Sequence, residues 1–192
     1  MGRKRILTKD EILTVTGKVL RNGGIQEVHF KKIAAELQVS RSTIYEYFKN
    51  KEELILSYMR AMMDEMNRKI NEVPPDLPPN EKLKQLLHIF LEHADTYHID
   101  QMIHELQTSD KQVALFYKTE VHKDLMKTHQ LMGTWIEEAR AAGIWTTDVS
   151  SALISDVIFH SILFSNREKI GPDEMTRQLF HMMEHGLSRD KE

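Results

Sequence analysis

Four of the five prolines in this 192-residue chain fall within eight residues, VPPDLPPN, residues 73 to 80. A proline inside a helix removes a hydrogen bond and clashes with the preceding turn, at a cost of ~3 kcal/mol or more. The chain is therefore broken once and left open to long helices elsewhere. On both sides of the break, apolar residues recur at helical spacing, and strand-like alternation is nearly absent. The expected fold class is all-α, with about nine helices.

Local signals place these helices. Thr8 with Glu11 has the spacing of a capping box, and Ile12, Leu13, Val15, Val19 and Leu20 follow before Gly23 and Gly24 end the element. A short helix is expected from about Lys31 to Leu37, with Ile33, Ala34 and Leu37 inward. After a tight turn at Gln38 and Val39, Ser40 is placed to cap a third helix reaching about Tyr47. Asn50 with Glu53 starts a fourth, running as far as Glu72. Beyond the prolines, helices are expected over about 81–97, 101–107 and 111–142, the last closed by Gly143. Another covers about 148–166 with Thr147 as cap. The final one opens at Pro172, where a first helical position tolerates proline, and ends near Gly186.

Charge divides the chain unevenly. Residues 1–51 carry eleven Lys and Arg against five Asp and Glu, whereas the remainder carries fifteen against twenty-four. A basic segment of this length fits nucleic acid or an anionic surface. No cysteine is present, which excludes a disulfide framework, a thiolate nucleophile and cysteine-bound zinc. No eighteen-residue apolar run or signal-peptide pattern occurs, so a cytoplasmic protein that does not span a membrane is expected.

Two short helices joined by a tight turn, the second one capped, are the parts of a helix-turn-helix. Its second helix has to pack one side and offer hydrogen-bonding groups on the other. Ile44 and Phe48, four apart, supply the packed side. Arg41 has the reach for a bidentate bond to guanine, and Ser42 and Thr43 offer hydroxyls to bases or phosphates, with Tyr47 one turn on. Tyr45 can bury its ring and place its hydroxyl on a phosphate. Lys51 and the free N–H groups opening the fourth helix make an anion site.

Residues 12–55 resemble the DNA-binding segment of the TetR family of transcriptional regulators, through the ordered series IA-x-x-x-x-VS-x-x-x-x-Y-x-YF-x-x-KE-x-L. The resemblance implies a three-helix DNA-binding head, residues 1–50, and a larger helical body, residues 51–192, that binds a small molecule and dimerises through its last two helices. Lys31, Arg41, Ser42, Thr43, Tyr45, Tyr47 and Lys51 then become DNA contacts. His29 stands where the family usually has a phosphate-touching, helix-capping threonine, and Gln38 where it usually has a glycine, which asks for a positive φ or a different turn.

The ten histidines raise a metal or enzymatic reading. HMMEH, residues 181–185, matches the H-x-x-E-H string of some zinc peptidases. A catalytic zinc needs a third protein ligand, and Met175, Leu179, Phe180 and Met183 explain the string by helix packing; no catalytic or metal site is assigned. For an effector, the adaptable thioethers of Met62, Met66 and Met102, the rings of Phe90, Tyr97, Phe116, Tyr117, Trp135 and Phe159, and His129 are candidate pocket walls.

The combined expectation is a ligand-responsive repressor that acts at the nucleoid. Its partners are a double-stranded, palindromic DNA operator, an unknown small-molecule effector and a second copy. The copies would pair through helices near 148–166 and 172–187, with Ile158 and Phe159 as seam candidates; no cofactor is called for. The rival readings are an activator or DNA-binding protein without an effector, and a histidine-based metal protein or enzyme.

Overall fold

The first helix shows how local chemistry sets the elements. Thr8 Oγ1 accepts the Glu11 N–H at 3.2 Å, and the Glu11 carboxylate accepts the Thr8 N–H at 2.9 Å, a complete capping box. From that start α1 runs over Lys9–Gly23 and buries Ile12, Thr16, Val19 and Leu20. The computed structural model describes residues 7–94, 115–164 and 166–187, and among these every regular element is helical. After α1 and a short 3-10 turn at Ile25–Glu27 come α2 (Phe30–Glu36), α3 (Arg41–Tyr45) and α4 (Lys51–Asn71). Then follow α5 (Pro79–Glu92), α6 (His122–Ala141, led in by a π turn at Tyr117–Val121), α7 (Ser151–His160) and α8 (Pro172–Leu187). The helix expected over 101–107 lies outside the described residues.

The described residues gather into two compact units. The first holds 7–65 and 115–119, where α1 packs on α2 and α2 on α3. Ile12, Val19, Leu20, Ile25, Val28, Phe30, Ile33, Ile44, Phe48, Leu54 and Ile55 are all buried there. Tyr58 is buried in this unit against Gly17, where an added Cβ would stand 2.8 Å from its ring, and burial pushes its hydroxyl pKa up. The second unit holds 66–94, 120–164 and 166–187, with α5 packed on α6 and α8, and α6 on α7. Leu83, Leu86, Leu87, Phe90, Met132, Ile136, Trp145, Ile154, Ile158 and Phe180 make its core.

Several boundaries differ from expectation, for side-chain reasons. The cap of α7 is Ser150, whose Oγ accepts the Leu153 N–H at 3.3 Å; Thr147 accepts only the Val149 N–H, within the preceding loop. Arg140 donates to the Val149 carbonyl and, at 2.9 Å, to the Ser151 hydroxyl, tying the end of α6 to the start of α7. The helix expected to reach residue 166 passes into a 3-10 turn at Ser161–Leu163. There His160 donates its Nδ1–H to the Asp156 carbonyl and Ser161 its hydroxyl to that of Ile158, so side chains compete for the acceptors of the last turn.

Candidate nucleic-acid interface

The turn between α2 and α3 is built without the glycine that such turns favour. The Val39 N–H bonds the Ala34 carbonyl at 2.9 Å and the Gln38 N–H that of Ala35 at 3.2 Å, with Gln38 at φ 56°. This is a Schellman motif with a left-handed glutamine at its hinge. The same bond pair closes α6, from Ile144 to Ala139 and Gly143 to Arg140, there with glycine at φ 69°. Of the two routes open to Gln38, the chain takes the positive φ.

Helix α3 has only five residues and depends on its ends. Ser40 Oγ accepts the Thr43 N–H at 3.2 Å and lies 2.6 Å from Ser42 Oγ and 2.9 Å from Thr43 Oγ1. Ile44 and Phe48 are fully buried and anchor the inner side. Outward, Arg41 and Ser42 are exposed, and the Arg41 guanidinium lies 6.0 Å above the Tyr45 ring, with a 3.4 Å bond to its hydroxyl. Tyr45 is 49% exposed yet rests edge-on against Phe30 at 4.7 Å, so its ring is anchored and its hydroxyl can turn outward.

The other candidates divide into exposed and engaged groups. Lys31 is exposed near the start of α2. His29 occupies the cap position of α2, but its imidazole makes no capping bond; its backbone carbonyl takes the Lys32 and Ile33 N–H groups instead. Thr43 is half-buried within the hydroxyl cluster. Tyr47 donates its hydroxyl to the Leu7 carbonyl, and Lys51 donates to the Ile25 carbonyl at 2.7 Å. At the start of α4, Asn50 Oδ1 accepts the Glu53 N–H at 2.8 Å, and the Glu53 carboxylate accepts the Lys49 N–H at 2.7 Å. Glu27 is held below the usual carboxylate range by its bond to Lys32 at 2.5 Å.

In the second unit, Phe90, His129 and Phe159 are brought together: Phe159 lies 5.6 Å from Phe90 and 5.1 Å from His129, ring to ring. Trp135 belongs to the same core, and Met66 packs on it half-buried. Phe116 and Met62 fall in the first unit, where Phe116 is buried under the Arg60 guanidinium at 4.9 Å. Tyr97 and Met102, and the Tyr117 side chain, lie outside the described residues. Sequence reasoning missed Trp145, which is fully buried beside Phe180 with an indole N–H that has no hydrogen-bond partner among the described residues, and it missed the Arg140 clamp.

The seam candidates also need correction. Ile158 is fully buried in the core of its own unit, and Phe159 is half-buried against Phe90 and His129. Among the described residues of this unit, the large apolar side chains that remain exposed are Met126 on α6, Leu153 and Val157 on α7, Leu163 and Phe164 after it, and Met182 on α8. Among the described residues, no group of three or more histidines and carboxylates could hold a metal, and no helix is long and apolar enough to cross a membrane.

Comparison with known proteins agrees with this geometry. Residues 12–58 match the model of bacterial regulatory proteins, tetR family. An uncharacterized HTH-type transcriptional regulator of Bacillus subtilis (strain 168), YhgD, is 32% identical over 92 residues, 47% of this chain and 48% of that protein, so the match spans about half its length. The fold is similar to that of the ketosteroid transcriptional regulator KstR2 of Mycobacterium tuberculosis, with a TM-score of 0.77 at 14% identity, covering 97% of this chain and 98% of that one. A putative transcriptional regulator from Saccharomonospora viridis, solved in complex with choline, gives 0.74 at 18% identity, covering 95% and 98%. AibR, solved with isovaleryl coenzyme A and operator DNA, gives 0.69 at 15%, covering 91% and 96%. Residues 12–58 are thus matched in sequence to the tetR family of bacterial regulatory proteins, and the all-helical fold is similar to that of solved transcriptional regulators along nearly the whole chain.

Proposed function

We propose that this protein is a homodimeric, sequence-specific repressor that occupies a palindromic operator at the nucleoid and leaves it when a small molecule binds within residues 51–192. The observation that carries the reading is α3 itself. It is a five-residue helix, capped by Ser40 and anchored by Ile44, with Arg41, Ser42 and Tyr45 exposed along it. In this reading Arg41 bonds a guanine edge, while Ser42 and Thr43 serve bases or phosphates. Lys31, Tyr45, Tyr47, Lys51 and His29 hold the DNA backbone, which sets register rather than sequence.

Dimerisation is supported by the uncovered apolar side chains of α7 and α8, which a second copy would bury around a two-fold axis. Two heads so related call for half-sites about one helical turn, ~34 Å, apart. The effector reading is supported by the Phe90, His129, Trp135 and Phe159 cluster with its flexible neighbour Met66, which suits an apolar ligand with one polar group. Choline in the Saccharomonospora regulator and isovaleryl coenzyme A in AibR are ligands of those proteins; for this chain the effector is proposed by class only. Coupling through α4 need supply only ~1.4 kcal/mol for each tenfold loss of operator affinity.

Arg41→Ala and Tyr45→Phe test the assignment on a duplex carrying the preferred site. Arg41→Ala is expected to cost ~1–3 kcal/mol and relax preference at one base pair per half-site. Tyr45→Phe is expected to weaken all sequences about equally. A uniform loss for Arg41→Ala would refute base reading by that residue, and a base-selective loss for Tyr45→Phe would refute its phosphate contact.

A further inference from the structure

We propose that His181 and His185 form a bidentate site for a divalent transition-metal cation of the nickel, copper and zinc class, separate from both the DNA-binding head and the effector cluster. The two residues are four apart on α8, so they share one face, and both are exposed. Their rings stand 4.0 Å apart, centroid to centroid.

The neighbourhood orients them as ligands. The His185 Nδ1–H donates to the His181 carbonyl at 2.8 Å, which leaves Nε2 as the basic nitrogen and fixes the plane of the ring. A hydrogen bond from the non-ligating nitrogen to a backbone carbonyl is the usual support of a metal-binding histidine. Glu184, between the two, is turned away to the Asn80 amide at 3.1 Å, so among the described residues the donor set consists of imidazole nitrogens. Such a set favours nickel, copper and zinc over magnesium, calcium or manganese, which prefer oxygen. Arg177, one turn earlier, is neutralised by a two-bond pair with Glu174 at 2.6 and 2.8 Å.

Core packing does not account for the pair, because α8 turns Thr176, Phe180 and Met183 inward and leaves both histidines out. No third protein ligand joins them among the described residues. The site is thus a binding site and not the zinc peptidase centre that the HMMEH string suggests. A bound cation cross-links two successive turns of α8 and stiffens its last turn.

The test is calorimetric titration of the untagged full chain with nickel chloride. Electron paramagnetic resonance of the copper(II) form counts the nitrogen ligands. The expected result is one ion per chain with two imidazole nitrogens. His181→Ala and His185→Ala, each still helical by circular dichroism, should weaken nickel binding at least about tenfold through loss of the chelate. His122→Ala, an exposed histidine on α6, should leave it unchanged. Undiminished binding in the double variant, a single nitrogen in the copper spectrum, or an equal loss in His122→Ala would overturn the proposal.

Discussion

Val157→Asp separates a seam between two copies from a core within one. Val157 is 40% exposed in the single chain, whereas the adjacent Ile158 is fully buried. Covering the rest of Val157 in a dimer yields under half the ~1.5 kcal/mol available to a fully buried valine, or ~0.6 kcal/mol. An aspartate there forfeits this gain and must also shed part of its hydration, a further penalty of several kcal/mol when complete. Taking ~2 kcal/mol per copy for a partly wetted position, and doubling it because a two-fold seam carries every substitution twice, gives ~4 kcal/mol. At ~1.4 kcal/mol per decade the dimer dissociation constant rises about a thousandfold.

Sedimentation equilibrium over a range of concentrations measures this change, with circular dichroism to establish that the monomer is folded. Ile158→Val is the matching control: deleting one buried methylene should cost ~0.5–1.5 kcal/mol of stability and leave the dimer constant alone. A folded Val157→Asp protein that dissociates no more readily than the unsubstituted one would refute the seam, as would a dimer weakened equally by Ile158→Val.

Other expectations concern the head. Ser40→Ala removes the cap of a five-residue helix and should cost ~1 kcal/mol of stability, lowering the melting temperature by ~2–4 °C in a chain of this size, with a loss of DNA affinity; an unchanged melting temperature would show that α3 is held by Ile44 and Phe48 alone. Gln38→Gly relieves a left-handed glutamine at φ 56°, worth ~1–2 kcal/mol, against ~0.5–1 kcal/mol of added chain entropy in the unfolded state. Calorimetry should therefore record a small rise in melting temperature, and a fall would mean that the glutamine side chain contributes more than its backbone costs.

How much of the fold and the interface was legible in the sequence depends on the range of the interaction concerned. The Thr8 and Glu11 box, the Ser40 cap, the Asn50 and Glu53 pair and the hinge at Gln38 all join residues within five positions, and residue type and spacing specify such bonds. The two faces of α7 were not separable in the same way. Ten of the sixteen residues from Val149 to Phe164 are apolar and spread around the helix, so periodicity could not tell Ile158, which faces the core, from Val157, which does not. The start of α7 turns on Arg140, nine residues before Val149, whose guanidinium reaches across a loop to the acceptors there. Tertiary contacts of that kind leave no spacing rule to read. At the candidate interface, sequence named the exposed Arg41, Ser42 and Tyr45, but the internal bonds of Tyr47 and Lys51 depend on Leu7 and Ile25, which only the folded head brings near.

Selection of bound duplexes from a random DNA pool, at a stated moderate salt concentration because phosphate contacts make affinity salt-dependent, shows whether α3 reads a sequence. A palindrome whose half-sites are about one helical turn apart should be recovered, and its enrichment should be lost with Arg41→Ala. Recovery of no preferred sequence by a folded, dimeric protein would contradict that reading.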